Sequence, residues 1–290
     1  MQALFQSTFY LPLVFTAIIF GIAPVLLGLI GFPSFTYSRC VQSFLAGLIL
    51  AIFYQIVALL PLIGGIVAEL IVFYLFLNLA LASLGIIAGI LQGIRHGKWT
   101  KLTHALKLLG GHFYLSERKD FYAGLWEGTS RHSWELAQNL IGHIWAQSLN
   151  AFGFIQRVDY FDGATFSTSE KRLKRSGMSL ATFIYIAIDD LINVEFRQKL
   201  LSDPLLMHEF GHSFDSKIYG LFYLPLIGLP SLISAARAKQ LKADALNPRP
   251  HRFQTYEMRA NRHAASYFAK NYQVEWVKFE KSFPLLKMSD

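Results

Sequence analysis

Cysteine is nearly missing from this chain of 290 residues, in which Cys40 is the only one. A single cysteine excludes an intramolecular disulfide, and the sequence has no Cys-x-x-Cys pair to hold a metal ion. Charge is scarce as well, because charged residues make up 16% of the sequence, whereas a soluble domain has about 25%. This composition is unusual for a wholly water-soluble protein.

The shortage of charge is concentrated in the first third of the chain. Within residues 1–94 the only charged side chains are Arg39 and Glu69, and all other charged residues follow. The asymmetry predicts two domains. We expect a membrane domain over residues 1–94 and a soluble domain over residues 95–290, which is long enough to bury a core.

Three membrane spans are predicted in the first domain. Residues 9–32 form an uncharged run, long enough for a helix across a hydrocarbon core of about 30 Å. Residues 44–94 are apolar over a length too great for one crossing, and Pro61 and nearby glycines interrupt them. We therefore expect a reversal there, between spans at residues 44–63 and 70–91.

The orientation of the spans follows from the basic residues in their flanks. The reversal near Gly64 has no positive charge, whereas the third span is followed by Arg95, His96, Lys98, Lys101 and Lys107. Because basic flanks stay on the cytosolic side, a multi-pass integral membrane protein with its soluble domain in the cytosol is predicted. The net charge of +8 then suits a lipid bilayer as partner. No nucleic acid is expected, since the basic clusters at residues 171–175 and 237–242 lack interleaved aromatic residues.

The second domain has a mixed α and β pattern. Residues 134–151 have apolar positions at helical spacing. Residues 154–161 and 164–169 flank an Asp-Gly pair, which predicts a β-hairpin. Residues 181–188 are rich in β-branched and aromatic side chains and are predicted to form a further strand.

A helix after these strands carries a metal-binding motif. Asp203 is a suitable N-cap and Pro204 suits the first helical position. The pattern His-Glu-x-x-His follows, with His208, Glu209 and His212. Histidines four residues apart project from one helix face and can hold one zinc ion together, while the intervening Glu is placed to act on a zinc-bound water.

A catalytic zinc ion usually has three protein ligands, so a third is needed. Glu257 is the best candidate, with His251 and His263 as alternatives. Asn261, one turn after Glu257, faces the same way and could orient a ligand histidine. Gly211 lies inside the first motif, where glycine weakens a helix.

Gly211 therefore indicates a close approach of another backbone or of a ligand. The helix that carries Glu257 also has Ala260 and Ala264 on one side. We expect this side to pack closely against the helix with the histidines.

The two motifs together resemble those of the gluzincin metallopeptidases. Within that clan, His-Glu-x-x-His followed by Glu257-x-x-Ala-Asn261-x-x-Ala is similar to the membrane-bound HtpX and CAAX prenyl-protease group, which has Asp where Asn261 stands. The resemblance covers about a tenth of the chain. It implies zinc ligation by His208, His212 and Glu257, with Glu209 as general base. The implied fold is a multi-pass α-helical membrane anchor plus an α+β zincin-like metallopeptidase domain.

The function predicted from this resemblance is a zinc-dependent endopeptidase acting on a peptide or protein substrate. Tyr256, His251 and His263 are candidate donors to the oxyanion, and residues 181–188 are a candidate edge strand for the substrate. The alternatives are a non-catalytic membrane protein with a structural zinc site and an enzyme for non-peptide substrates. A structural site would normally be closed by a fourth ligand.

The apolar segment at residues 221–235 lies between the two motifs. Pro225, Gly228 and Pro230 interrupt it, and it is too short to span a bilayer. Burial beneath the active site and contact with the membrane are both open, and burial is the favoured expectation.

Overall fold

The structure is a computed structural model that describes residues 2–29, 35–60, 64–170, 175–190, 192–240 and 251–285. These residues are mostly helical and include a small mixed β-sheet. The α-helices are α1 (Gln2–Leu29), α2 (Tyr37–Ala58), α3 (Gly64–His96), α4 (Thr100–Gly110), α5 (Phe121–Arg131), α6 (Leu136–Ala151), α7 (Phe196–Ser202), α8 (Pro204–Tyr219), α9 (Leu229–Gln240) and α10 (Thr255–Tyr272). The strands are β1 (Arg157–Phe161), β2 (Ala164–Ser169), β3 (Ser176–Leu180) and β4 (Phe183–Ala187). Short 3₁₀-helices lie at Gly220–Phe222, His251–Phe253 and Trp276–Phe279, and a π-helix lies at Leu224–Gly228.

Long apolar helices form the first third of the chain, as the sequence predicts. Within the described residues, Tyr37–Ala58 and Phe76–His96 are long and apolar enough to cross a membrane, and Val14–Leu29 is a shorter apolar helix. Large apolar side chains are exposed along their outer faces, among them Phe15, Ile18, Ile22, Leu26, Ile52, Phe53, Ile56, Phe73, Phe76, Leu84, Leu91 and Ile94. The predicted ends of the first two spans, residues 30–32 and 61–63, lie outside the described residues, as do residues 171–174 of the first basic cluster.

The helices after residue 95 pack directly on the apolar helices. Along α5, Gly128 lies against Ala46 of α2. On α6, Nδ1 of His143 is 3.0 Å from Oδ1 of Asn78 in α3. Four buried histidine side chains also lie among these helices, namely His104, His112, His132 and His143. The ring of His112 lies 4.4 Å from that of His143 and 5.5 Å from that of His132 between centroids. Residues on both sides of the predicted domain boundary therefore form one packed body.

The sheet has the strand order β1-β2-β4-β3. The predicted hairpin is confirmed, because β1 and β2 pair antiparallel around Asp162, whose φ is 42°. The predicted strand at residues 181–188 is confirmed as β4, which pairs parallel with β2. The strand β3 pairs antiparallel with the other side of β4, so β3 is the strand at this edge of the sheet.

One face of the sheet carries the core that positions the site. Phe166 and Ile186 from the sheet are fully buried against α8 and α10, where they meet Leu206, Phe210 and Phe268. Burying side chains of this size stabilises the fold by about 1.5–3 kcal/mol each. The two helices that carry the sequence motifs are thus fixed against a common apolar layer.

Candidate metal centre and catalytic cavity

The helix α8 begins and ends where the sequence predicts. The carboxylate of Asp203 accepts a hydrogen bond from the backbone N–H of Leu205 at 3.0 Å, and Pro204 is the first helical residue. The helix ends at Gly220, whose φ is 51°, a value that glycine adopts without strain. His208 and His212 lie one turn apart on the same face, with ring centroids separated by 4.8 Å.

The helix α10 approaches α8 at a glycine. A Cβ atom at Gly211 would overlap the backbone carbonyl of Ala260 and would lie 3.3 Å from Cβ of Ala264. Glycine at this position, with alanines opposite, lets the two backbones come close enough to meet. The close approach predicted from Gly211 is confirmed, and it brings Glu257, in the first turn of α10, to the histidine face.

Three side chains converge at this helix contact. Oε2 of Glu257 lies 3.1 Å from Nε2 of His208 and 3.3 Å from Nε2 of His212. These three side chains are close enough to hold one metal ion, because their ligand atoms all lie within 4.8 Å of one another. Among the described residues, no other group of three His, Cys, Asp or Glu side chains meets this condition. Two imidazoles and one carboxylate are the donor set of a catalytic zinc site, so the residues present fit this ion.

Each histidine ring faces a polar side chain on the side away from Glu257. Nδ1 of His208 is 2.6 Å from Oδ1 of Asn261, whose Nδ2 donates to the carbonyl of Pro284. An acceptor of this kind fixes the tautomer that presents Nε2 to a metal. Nδ1 of His212 faces Oδ2 of Asp215 at 3.7 Å, which is within ion-pair distance and too long for a hydrogen bond.

The second oxygen of Glu257 is held from the opposite side. Oγ of Ser231 in α9 donates to Oε1 of Glu257 at 2.6 Å. Nε2 of His251 lies 3.6 Å from the same oxygen, and Nδ1 of His251 is 3.0 Å from Oγ of Ser234. Glu257 is therefore oriented by α9 while its Oε2 faces the histidines.

Burial and the facing charges shift the pKa values of these groups. Burial lowers the pKa of His212, but the carboxylates of Glu257 and Asp215 outweigh it and raise the pKa to about 10. Burial raises the pKa of Glu257, but His212 and His208 outweigh it and hold the pKa well below its usual range. A carboxylate paired with a protonated imidazole fits a cation site, because a bound divalent cation takes the place of the proton.

Glu209 lies beside these ligands without being one of them. Its side chain is buried against Gly177 of β3, where a Cβ atom would overlap the carboxylate. Burial raises the pKa of Glu209, while the two histidines oppose this shift. A carboxyl group with a raised pKa next to a metal site is suited to accepting and returning a proton.

A cavity of 810 Å³ opens in front of these groups. Its walls come from β3, from α6 and from the segment between α8 and α10, and its polar end contains His208, Glu209, His212, His251 and Glu257. The volume is in the range of a ligand site. A small or extended substrate can reach Glu209 and the ligand face from this cavity.

The structure does not bring all the predicted residues to the cavity. The hydroxyl of Tyr256 donates to the carbonyl of Pro230, and Nε2 of His263 is 3.4 Å from Oδ1 of Asp215. Neither side chain lines the cavity, whereas His251 does. The structure therefore places Tyr256, an oxyanion candidate, and His263, a candidate oxyanion donor and alternative third ligand, outside the lining of this cavity.

Two expectations about the walls are wrong. Residues 181–188 do not form the free edge, because β4 is paired on both sides and β3 takes the edge position. Residues 221–235 are not buried as a whole, because only Tyr223 and Ile227 among their large apolar side chains are buried. The segment lines the cavity with one face and is exposed on the other.

Sequence reasoning missed Asp215, Ser231 and Gly177. The first had a readable signal, since a carboxylate three residues after a ligand histidine lies near the same helix face. The other two had none, because Ser231 and Gly177 come to the site through tertiary packing of α9 and β3.

Comparison of the chain with known protein families, with curated proteins and with solved structures gives no match.

Proposed function

We propose that the protein is a zinc-dependent endopeptidase anchored in the membrane by several spans, with its catalytic half on the cytosolic side. One observation carries this proposal. His208, His212 and Glu257 converge at the end of a substrate-sized cavity, and Glu209 lies beside them. The two apolar helices long enough to cross a membrane support the anchor.

The residues have separate roles in this proposal. His208 and His212, through Nε2, and Glu257, through Oε2, would hold the zinc ion. Bound there, the zinc would supply Lewis acidity that polarises a scissile carbonyl and lowers the pKa of a bound water to about 7. Asn261 keeps the ring of His208 in orientation through its hydrogen bond, a contact that typically contributes 10–100-fold to metal affinity or activity. The carboxylate of Asp215 lies beside the ring of His212.

Glu209 is the proton carrier. It accepts the proton of the attacking water as the water adds to the carbonyl carbon, and it returns this proton to the nitrogen of the departing amine. Burial raises the pKa of Glu209, a shift in the direction that helps the carboxyl hold this proton between the two steps. Nε2–H of His251 is the remaining candidate donor to the oxyanion, since His251 lines the cavity.

The edge strand β3 is the proposed binding site for the peptide backbone. Ser176, Gly177 and Met178 line the cavity next to Glu209. A substrate added as a strand alongside β3 would obtain main-chain hydrogen bonds and have its backbone at the proton carrier. This geometry favours a peptide over a non-peptide substrate.

The variant Glu209→Gln tests the assignment. Gln has the same size, so zinc content is expected to equal that of the wild type, while hydrolysis of a peptide library falls by at least about 100-fold. The measurement is zinc by elemental analysis and peptide cleavage by mass spectrometry on the full chain in detergent. Turnover retained in this variant would remove Glu209 from the mechanism. Zinc bound without any turnover in the wild type would favour the structural zinc site, with His251 as its closing ligand.

A further inference from the structure

The segment after α8 combines an absence of charge with high exposure. Between Lys217 and Arg237 the sequence has no charged residue. The exposed fraction exceeds 50% for six large side chains of its outer face, and the full set of exposed large apolar residues is Ile218, Leu221, Phe222, Leu226, Leu229, Leu232 and Ile233. Contiguous exposed apolar surface of this kind marks a site of contact with a partner or a membrane.

The opposite face of the same segment belongs to the catalytic half. The hydroxyl of Tyr223 donates to the carbonyl of Ser179 in β3 at 3.2 Å, and Oγ of Ser231 donates to Glu257. Tyr223 and Ile227 are buried. The segment is thus held firmly by its inner face, and the exposure of its outer face is not a result of loose packing.

The helix α6 fixes where this segment lies. Nε2 of Gln138 donates to the carbonyl of Gly220 at 2.8 Å, and Nε1 of Trp134 donates to the carbonyl of Lys217 at 3.1 Å. The start of the segment is therefore attached to the first turn of α6.

The same helix lies beside the apolar part of α3. His143 contacts Asn78, and Gln147, one turn later on α6, contacts the position of Gly85, so the two helices run in the same direction. These contacts fall within the candidate span Phe76–His96. The exposed side chains of Ile141 and Trp145 on α6 lie in the same stretch and also line the cavity.

The rim of the cavity is consequently apolar and level with a candidate span. Ile141 and Trp145 form it on α6, and Leu229 and Leu232 form it on the segment, with each side chain more than 40% exposed. The outer face of the segment is apolar and exposed, as are the outer faces of α2 and α3. Hydrocarbon is a partner that would cover all of these faces.

We propose that the outer face of residues 218–233 is embedded in the hydrocarbon of the bilayer that α2 and α3 cross, and that the rim of the cavity opens into lipid. Lys217 and Arg237 then lie at the ends of the embedded stretch. Nζ of Lys217 donates to Oε1 of Glu127 at 3.2 Å, whereas Arg237 is exposed, and a long basic side chain in that position reaches the headgroups. The proposal rests on the membrane anchor of the proposed function and is independent of peptidase activity.

Spin labels on single cysteines test this placement. In a Cys40→Ser background, which removes the native cysteine, a nitroxide is attached at Leu226→Cys or Leu232→Cys. Matched controls are Phe76→Cys on the exposed face of α3 and Ser266→Cys on the exposed face of α10. The full chain is reconstituted into phosphatidylcholine and phosphatidylglycerol vesicles, and collision rates with oxygen and with a water-soluble nickel complex are measured by electron paramagnetic resonance.

Labels at Leu226 and Leu232 are expected to behave like the label at Phe76, with an oxygen-to-nickel collision ratio at least several-fold above that at Ser266. A ratio equal to that at Ser266, with Phe76 in lipid, would overturn the proposal and leave the anchor intact. Low collision rates with both reagents, together with spin–spin broadening, would indicate a second copy on this face and would also overturn it. A water-exposed label at Phe76 would refute the anchor and this proposal together, while zinc content would still report on the metal site.

Discussion

The contact between α8 and α10 yields the sharpest prediction, for the variant Gly211→Ala. The added methyl group would overlap the backbone carbonyl of Ala260, which cannot rotate away as a side chain does. To remove this overlap, the two helices would have to move apart. Overpacking of this type costs about 1–3 kcal/mol, against a gain in helix propensity of up to about 1 kcal/mol.

We therefore expect a net loss of about 1–2 kcal/mol in the free energy of unfolding. For a domain of this size, each kcal/mol lowers the melting temperature by about 2–4 °C. The separation of the helices would also move Glu257 away from His208 and His212, so zinc affinity is expected to fall about tenfold or more. Thermal unfolding in detergent and competition with a zinc chelator measure the two effects.

Gly228→Ala is the matched control. Its added methyl group would find its nearest neighbour, Cδ2 of Leu224, at 3.5 Å, which is an ordinary contact. Stability should therefore change by no more than about 0.5 kcal/mol. If Gly211→Ala matched this control in both stability and zinc affinity, the packing argument that brings Glu257 to the histidines would be refuted.

Two further predictions concern the polar groups around the site and at the helix interface. Asn261→Ala should lower zinc affinity about 10–100-fold in a chelator titration, whereas Asn261→Asp keeps the acceptor for His208 and should lose less. An equal loss in both variants would contradict this role. The four buried histidines of the interface should make the protein acid-labile. Burial lowers the pKa to about 4 for His104 and to about 3 for His132 and His143, and well below the usual value for His112. They stay neutral in the fold while the unfolded chain takes up protons below about pH 6.5, so stability is lost as pH falls from there, by up to about 1.4 kcal/mol per pH unit for each histidine. Denaturant unfolding between pH 8 and pH 5 measures this loss. Neither ring nitrogen of His112 has a hydrogen-bond partner among the described residues. The variant His112→Leu should therefore reduce the dependence of stability on pH without lowering stability at pH 8.

The sequence predicted those elements whose signals are local. The start of α8 follows from Asp203 and Pro204, and the hairpin follows from an Asp-Gly pair between two apolar runs. The meeting of α8 and α10 was also readable, because Gly211 and the alanines of α10 have the spacing of a close helix contact. In each case a few neighbouring residues determine the structure.

The edge strand β3 could not be predicted in the same way. Its sequence, Ser-Gly-Met-Ser-Leu, has low strand propensity. Its conformation comes from pairing with β4, and Gly177 is needed there because the carboxylate of Glu209 lies against it. Both causes are tertiary contacts with residues far along the chain.

The packing of α5 and α6 on the apolar helices was equally hidden. It depends on Gly128 against Ala46 and on the pair formed by Asn78 and His143, and neither contact follows an amphipathic pattern. Composition alone separates residues 1–94 from the rest, although the structure packs the two parts together. Composition also led to the wrong expectation for residues 221–235, because an apolar segment can be buried or exposed and its composition is the same in both cases.

The zinc content of the purified full chain tests the central claim most directly, with wild type compared with Glu257→Ala by elemental analysis. Three converging ligands predict close to one zinc ion per chain in the wild type and a sharp fall in the variant, because two histidines alone hold the ion weakly. Wild-type protein that binds no zinc after reloading, or a variant with undiminished zinc, would contradict the three-ligand site.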